Sequence, residues 1–307
     1  MEIEIPPTWE QITMSALSGV ILVVGAPDTG KSTFTRYLYR CLCAHHERVG
    51  FIDGDMGQAT LGPPTTMTVA LNEPGDDAFP PAGSRYRAFV GNVMPKGHML
   101  PTLVGAHRLV RKAQEEGTST IVFDTTGLID PAQGGGELKR AKVDLLKPAA
   151  VIALQRRDEL EYLLLPLRLS RRTRVIDLPA SRAAQRRTPF TRQEHRAAQF
   201  RRCFAGARSL EVDWQRLAIF PTPAFTPHRL VALEDKEGFA LSLGIVTASD
   251  PNTVMLHTPL ASLDGVSAVR LGDLTLDPRT FQETRIRRDL STLQQLTRQC
   301  KHPPAAA

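Results

Sequence analysis

Val20-Ile-Leu-Val-Val24 is an unbroken apolar run, short and mostly β-branched. Such runs form strands buried on both faces of a parallel sheet. This one leads directly into a glycine-rich turn, after which Phe34–Cys43 predicts a helix and Val49-Gly-Phe-Ile-Asp53 a second strand. Residues 72–84, rich in Pro, Gly and Asp, read as a loop. Arg85–Val90 predicts another strand, Met99–Glu116 a helix, and Thr120-Ile-Val-Phe-Asp124 and Ala149-Val-Ile-Ala-Leu154 two more strands. Strands alternating with helices imply an α/β fold, a parallel sheet with helices on both faces. Past about residue 208 the pattern changes. Between Leu230 and Leu276 short apolar stretches are broken by Asp-Lys-Glu-Gly, Ser-Asp-Pro-Asn and Leu-Asp-Gly, which predicts a small β-rich domain. Arg288–Lys301 predicts a terminal helix and Pro303–Ala307 a frayed tail.

The turn after the first apolar run carries chemistry. Gly25-Ala26-Pro27-Asp28-Thr29-Gly30-Lys31-Ser32-Thr33 fits G-x-x-x-x-G-K-[ST] in full, between a strand and a helix as the phosphate loop requires. Successive backbone N–H groups there can turn toward a phosphate, and the following helix adds its positive end. Lys31 is placed to reach the β- and γ-phosphates of a nucleotide and Ser32 to ligate Mg²⁺. A merely tight strand–helix turn explains neither Lys31 nor the hydroxyl after it. The guanine-reading N-K-x-D is absent; Ala141-Lys-Val-Asp144 lacks the Asn and lies in a helical stretch. Position 26 is Ala, without the extra lysine of the MinD-like ATPases. A kinase is favoured by elimination.

Asp53-Gly-Asp-Met-Gly-Gln58 ends the second strand, at the edge of the sheet where ligands of α/β proteins collect. Phosphoryl transfer to a hydroxyl needs a carboxylate that accepts its proton, and Asp55 fits that role, the alternative being a loop cap. Asp124, ending another strand, can hold a metal-bound water in the Walker-B manner.

At this point the chain resembles the polynucleotide 5′-hydroxyl kinases, which include the RNA kinase of the pre-mRNA cleavage complex and the kinase of ribosomal RNA processing. Their phosphate loop reads G-x-x-D-x-G-K-S-T, with Asp28 at its acidic position, and their D-x-x-Q matches Asp55-Met-Gly-Gln58. The resemblance makes Asp55 the general base and Gln58 a metal or phosphate ligand. Pro7-Thr-Trp9, Gly62-Pro-Pro64 and Gly91…Pro95-Lys-Gly-His98 are further family signposts. The family's T-x-G-W clasp, which stacks on nucleic acid, corresponds to Thr125-Thr126-Gly127-Leu128, where the tryptophan is missing. Asp124 also departs from the family's frequent Asn. Aligned on Arg201-Arg-Cys-Phe-Ala-Gly206, the lid arginines fall on Arg187 and Arg192, with Arg196 at a third basic position. What the resemblance implies is a kinase using ATP, or GTP, with Mg²⁺ on the 5′-hydroxyl of RNA or DNA. It is identified as a prokaryotic member, without the N-terminal domain of the eukaryotic cleavage-complex proteins. Two other readings stay open: a catalytically weak nucleotide-binding scaffold of an RNA-processing complex, and a nucleoside or other small-molecule kinase.

Composition sharpens this in one place. The net charge of +6 admits a polyanionic partner. From Arg182 to Arg208 the arginines stand at 182, 186, 187, 192, 196, 201, 202 and 208, against Glu194 alone. A face kept soluble by charge would mix signs, and arginine suits bidentate phosphate contacts. The expected organisation is a phosphate-loop domain over 1–208 with an arginine-rich lid at about 180–202, a β-rich domain over 209–285, and a terminal helix and tail over 286–307. Four cysteines without disulfide or zinc spacing, no signal peptide and no membrane-length apolar run point to the cytoplasm. Protein partners are not indicated.

Overall fold

The computed structural model describes residues 5–181 and 183–286; Arg182 and the predicted terminal helix and tail lie outside them. The chain divides into two units, residues 1–199 and 200–307. The first opens with a short helix, α1 (Pro7–Glu10), then β1 (Gly19–Gly25), α2 (Lys31–Cys43), β2 (Val49–Gly54), β3 (Thr66–Leu71) and β4 (Arg85–Phe89). It continues with α3 (Met99–Glu115), β5 (Thr120–Thr125), α4 (Gly135–Leu146), β6 (Ala150–Gln155), α5 (Glu161–Ser170), β7 (Arg174–Pro179) and α6 (Pro189–Cys203), which runs across the division.

The seven strands form one sheet in the order β4-β3-β2-β5-β1-β6-β7. β2, β5, β1, β6 and β7 run parallel to one another, as the alternation predicts. β1 lies between β5 and β6, so both of its edges are paired, and every residue from Val20 to Gly25 is buried on either face of the sheet. That is the physical reason its sequence has no polar alternation. The expected strand near Arg85 is present, but it joins with β3 as an antiparallel pair on the β2 edge. β3, α5 and β7 carry weak sequence signals. Two of the six residues of β3 are threonine, α5 contains Pro166 within its turns, and β7 is an edge strand with Leu178 as its one buried residue.

α2 packs on β1, β2 and β5, and the core there gathers Phe34, Leu38, Leu42, Ile21, Val23, Phe51 and Val122. Trp9 is sealed into the same core, edge-on to Phe34 at 5.0 Å and beside Tyr37. The Pro7-Thr-Trp9 signpost thus anchors the N-terminal turn by packing. The second unit is β-rich. Strands β8 (Arg208–Asp213), β9 (Ala218–Phe220), β10 (Arg229–Glu234), β11 (Ala240–Ser249), β12 (Thr253–Thr258), β13 (Ala268–Leu276) and β14 (Glu283–Arg285) form a sheet in the order β14-β13-β10-β11-β12-β8, with β9 added parallel to β13. Val212, Val231, Leu233, Val246, Val254, Leu256 and Val269 fill its core.

One glycine of the first unit sets how closely the strand ends can approach. A Cβ on Gly54 would run into the Phe123 ring and lie 2.8 Å from the Asp124 carbonyl. Gly54→Ala should therefore overpack the β2–β5 junction and cost about 1–3 kcal/mol. Denaturant unfolding checks this, and an unchanged midpoint would mean the junction can open at no cost.

Candidate active site

The phosphate loop follows β1 directly. Gly30 adopts φ 88°, a left-handed conformation open to glycine, and turns the chain into α2, which starts at Lys31. The loop is braced from within: Thr29 Oγ1 donates to Ala26 O at 3.0 Å and Lys31 Nζ donates to the same carbonyl at 2.6 Å. Pro27 lies against Gly127, where a Cβ would meet it at 2.9 Å, so the loop abuts the Thr125–Leu128 turn. Arg156, just past β6, donates to the Asp28 carbonyl. Ser32 and Thr33 begin α2 exposed to solvent.

Three carboxylates meet the loop from β2 and β5. Asp53 and Asp124 are partners in register, and Asp124 is also paired with Val23 of β1. Asp53 is buried and fully employed. It accepts from Asp55 N at 3.3 Å, Thr60 N at 2.5 Å, Thr60 Oγ1 at 3.1 Å and Leu61 N at 2.9 Å, which staples the loop after β2. Burial pushes its carboxyl up. Asp55 uses one oxygen, Oδ1, to accept Gly57 N at 3.0 Å and Gln58 N at 3.1 Å, so it too shapes a turn. Among the described residues no donor reaches its Oδ2.

Asp124 differs from both. It is 4% exposed, and its Oδ1 has no hydrogen-bond partner among the described residues. Burial pushes its carboxyl up to about 7 against the pull of the Lys31 ammonium; the neighbouring Asp53 charge adds to the rise and the Ser32 hydroxyl opposes it. Lys31 is the counterpart: burial lowers its ammonium, while Asp124, Asp55 and Asp28 hold it up. A buried carboxylate oxygen without a donor, beside a serine hydroxyl, is an oxygen-only donor set of the kind that suits Mg²⁺. Ser32 and Asp124 therefore fit a divalent cation.

The lid arginines reach the same place. Thr188 caps α6, its Oγ1 accepting Thr191 N at 3.1 Å, and Pro189 takes the first helical position. This presents Arg192 one turn in, where Nη2 pairs with Asp28 Oδ2 at 2.7 Å. Arg187 N donates to the same Asp28 oxygen at 3.2 Å, and Arg187 Nη1 donates to Gln58 Oε1 at 3.4 Å. Gln58 Nε2 donates back to Arg192 O at 3.3 Å. Gln199 Nε2 donates to Ala59 O at 3.1 Å, which holds α6 to the loop after β2. Phosphate loop, D-x-x-Q turn and lid are thus one hydrogen-bonded assembly within the first unit. Arg196 lies one turn further along α6, half-buried.

The clasp positions divide. Thr125 is buried and its hydroxyl is already spent, donating to Val23 O at 2.7 Å and accepting from Lys139 Nζ at 2.7 Å. These two bonds hold the end of β5 and the start of the turn that carries the other clasp positions. Thr126 is also buried, while Gly127 and Leu128 are half-buried beside the loop. Lys139, Lys142 and Arg156 were not anticipated. The signal for the lysines is that Leu138, Lys139, Lys142 and Leu146 fall on the buried stripe of α4, where apolar residues belong.

A parallel α/β sheet with a strand–loop–helix phosphate cradle, and acids on the neighbouring strand ends, defines a P-loop nucleotide-binding protein. The family model described as "mRNA cleavage and polyadenylation factor CLP1 P-loop" matches residues 25–206, and the chain belongs to that family. It is 29% identical over 223 residues to a polyribonucleotide 5′-hydroxyl-kinase of Methanocaldococcus jannaschii, covering 73% of this chain and 60% of that protein. A protein of the same name from Thermococcus kodakarensis is 30% identical over 205 residues, 67% of this chain and 57% of its own. The chain thus spans about three fifths of the length of the curated relatives it matches. Among solved structures, a wild-type Clp1p–Pcf11p complex superposes with a TM-score of 0.63 at 14% identity, covering 87% of this chain and 77% of that one. That likeness is one of fold.

The burial of Asp124 has a pH signature. Between about pH 4 and 7 the folded protein keeps a proton on this carboxyl that the unfolded chain has released. Its contribution to stability therefore falls as pH rises through that window and levels off above it, by up to about 4 kcal/mol in all. Asp124→Asn cannot ionise, so without divalent cations its stability relative to wild type should improve from pH 5 to pH 8. Parallel unfolding midpoints for the two proteins across that range would contradict the burial of an ionisable carboxyl here.

Proposed function

We propose that this chain is a polynucleotide 5′-hydroxyl kinase that transfers the γ-phosphate of ATP to the 5′-hydroxyl of RNA or DNA. The observation that carries the reading is the convergence of Lys31, Asp124, Asp55, Gln58, Arg187 and Arg192 on one side of the phosphate loop. The names of the archaeal relatives support the choice of acceptor. The loop from Gly25 to Thr33 binds the nucleotide phosphates through its backbone and Lys31. Mg²⁺, held by Ser32 and Asp124, with Gln58 as a further ligand of metal or phosphate, supplies charge neutralisation of the donor phosphates.

Asp55 accepts the proton of the 5′-hydroxyl at Oδ2, while its Oδ1 stays tied to the Gly57 and Gln58 amides. Those two bonds fix the carboxylate's direction before substrate arrives, so little reorganisation is needed. Arg192 and Arg187, brought to the loop by Asp28, neutralise charge that develops on the transferred group. The remaining lid arginines, with Arg196, hold the phosphodiester backbone of the acceptor. Residues 1–208 carry this chemistry in our reading, with the β-rich 209–285 as a separate domain. A cytoplasmic setting belongs to the same reading: among the described residues Cys41, Cys43 and Cys203 form no disulfide. Among the described residues no helix is long and apolar enough to cross a membrane.

The deciding assay offers γ-labelled ATP or GTP with RNA, DNA and nucleoside 5′-hydroxyls in parallel. Labelled oligonucleotides and unlabelled nucleosides are expected; equal labelling of nucleosides would make this a small-molecule kinase, and no labelling a scaffold. Lys31→Ala should abolish transfer. Asp55→Asn keeps the shape but cannot take the proton, and should lower turnover about 10²- to 10⁴-fold with ATP affinity nearly intact. If Asp124→Asn impairs the proton-transfer step far more than Asp55→Asn does, the base is the wrong carboxylate.

The lid gives a separate test. Arg192→Ala and Arg187→Ala should lower kcat more than they raise KM for the oligonucleotide, because they act where charge develops. Arg186→Ala and Arg196→Ala should instead weaken oligonucleotide binding and flatten its dependence on salt. Binding that ignores salt from 50 to about 200 mM would count against a nucleic-acid acceptor.

A further inference from the structure

Helix α4 contains two lysines that none of the chemistry above employs. Lys139 is 1% exposed and Lys142 is fully buried. Lys139 Nζ donates to Thr125 Oγ1 at 2.7 Å and to Thr126 O at 2.6 Å. Thr125 Oγ1 in turn donates to Val23 O at 2.7 Å. One lysine nitrogen therefore links α4 to the end of β5 and, through Thr125, to β1 two residues before the phosphate loop begins. It also fixes the first residues of the 125–128 turn, on which Pro27 rests.

Lys142 Nζ has no hydrogen-bond partner among the described residues. Its Nζ stands 4.6 Å from the centroid of the Phe123 ring. The edge of that ring fills the space left by the missing side chain of Gly54, the residue before Asp55. Asp55 is the charge that faces Lys142, whose ammonium burial lowers to about 8. Burial pushes the Lys139 amine well below the usual lysine range; the like charges of Lys142 and Lys31 push it further down, while Asp55 and Asp124 oppose the drop.

Stability does not explain two such residues. A buried ammonium loses its hydration, and an apolar side chain of similar volume is often as good or better at the same position. Lys142 in particular has no hydrogen bond to offset the loss. What the pair does provide is a donor on Lys139 that fixes the start of the turn next to the loop, and a cation on Lys142 under a site crowded by Asp53, Asp55 and Asp124.

We propose that Lys139 and Lys142 are positioning residues for the acceptor side of the site. Lys139 fixes the 125–128 turn, and Lys142 holds positive charge beneath the Asp55 turn, so both turns are set before the 5′-hydroxyl binds. The inference rests on the kinase reading above and gives α4 a part in it.

The test uses the full chain with Lys139→Met, Lys142→Met, Lys139→Gln and Lys142→Gln, read by thermal melting, amide hydrogen exchange and steady-state kinetics. The methionine variants should melt at or above the wild-type temperature. Exchange should speed up about tenfold at residues 126–129 in Lys139→Met and at 56–58 in Lys142→Met, without a general increase. Turnover on oligonucleotides should fall about 10- to 100-fold, as small misplacement of reacting groups does, with KM for ATP within about twofold of wild type. Lys139→Gln keeps a donor for Thr126 O and should recover part of the lost turnover. Unchanged exchange at both turns overturns the proposal, and so do normal kinetics in a variant that melts normally. A lower melting temperature with intact kcat and KM below it also overturns it, since the lysines would then serve packing alone. Should the methionine variants fail to fold, the glutamine pair carries the same comparison. If wild type labels no 5′-hydroxyl, the kinase reading fails by itself, and the exchange measurements still decide what the lysines hold.

Discussion

Everything at this site depends on keeping opposite charges buried together where β1, β2 and β5 end. Lys31 and Asp124 are each stripped of most of their water, and each is held nearer its charged form by the other. Neither would be tolerable alone, since an isolated buried charge is among the costliest features a fold can carry. The pair is possible because β5 lies directly beside β1, placing Asp124 level with Val23, two residues before the loop. The same adjacency brings β2 up to β5 and so puts Asp53 and Asp55 beside them.

A cluster of this kind has to be walled in, and the walls are the parts with functional consequences. Asp53 is spent on four hydrogen bonds that hold the loop after β2. Asp55 is half spent, one oxygen fixed by the Gly57 and Gln58 amides and the other left open. Asp124 is not spent at all on Oδ1. Three carboxylates within one strand-end cluster thus have three degrees of hydrogen-bond satisfaction, the difference on which the proposed division into scaffold, base and metal ligand rests. From the outside, Asp28 draws in Arg192 and the Arg187 amide, so the lid is tethered to the loop by the loop's own acid. From beneath, α4 adds Lys139 and Lys142.

Much of the fold was legible along the chain. Strands β1, β2, β5 and β6 announce themselves because strands covered on both faces must be apolar throughout, and the phosphate loop is legible because few sequences permit its turn. The β-rich character of the second unit was equally readable from its short, interrupted apolar runs. β3, α5 and β7 were not, for physical reasons. Thr66 and Thr68 read as polar while being buried in the sheet, Pro166 argues against the helix that contains it, and an edge strand needs only half of its residues to be apolar. The antiparallel turn of β3 and β4 depends on where the chain doubles back, which no local pattern records.

For the site, the sequence by itself determined the phosphate loop, the acids that follow β2 and β5, and the excess of arginine after residue 180, because each is written as a contiguous motif or a local charge bias. Only the tertiary structure decided which acid is satisfied and which is left open, since that depends on amides and hydroxyls from other segments. It also decided that Thr125 faces inward, that Arg192 meets Asp28 across 164 residues of chain, and that two lysines of α4 are buried. Charge on a helix reads as solvated until its neighbours are known. Burial is a property of what packs against a residue, and that is set by the strand order β2-β5-β1 and the helices laid over it.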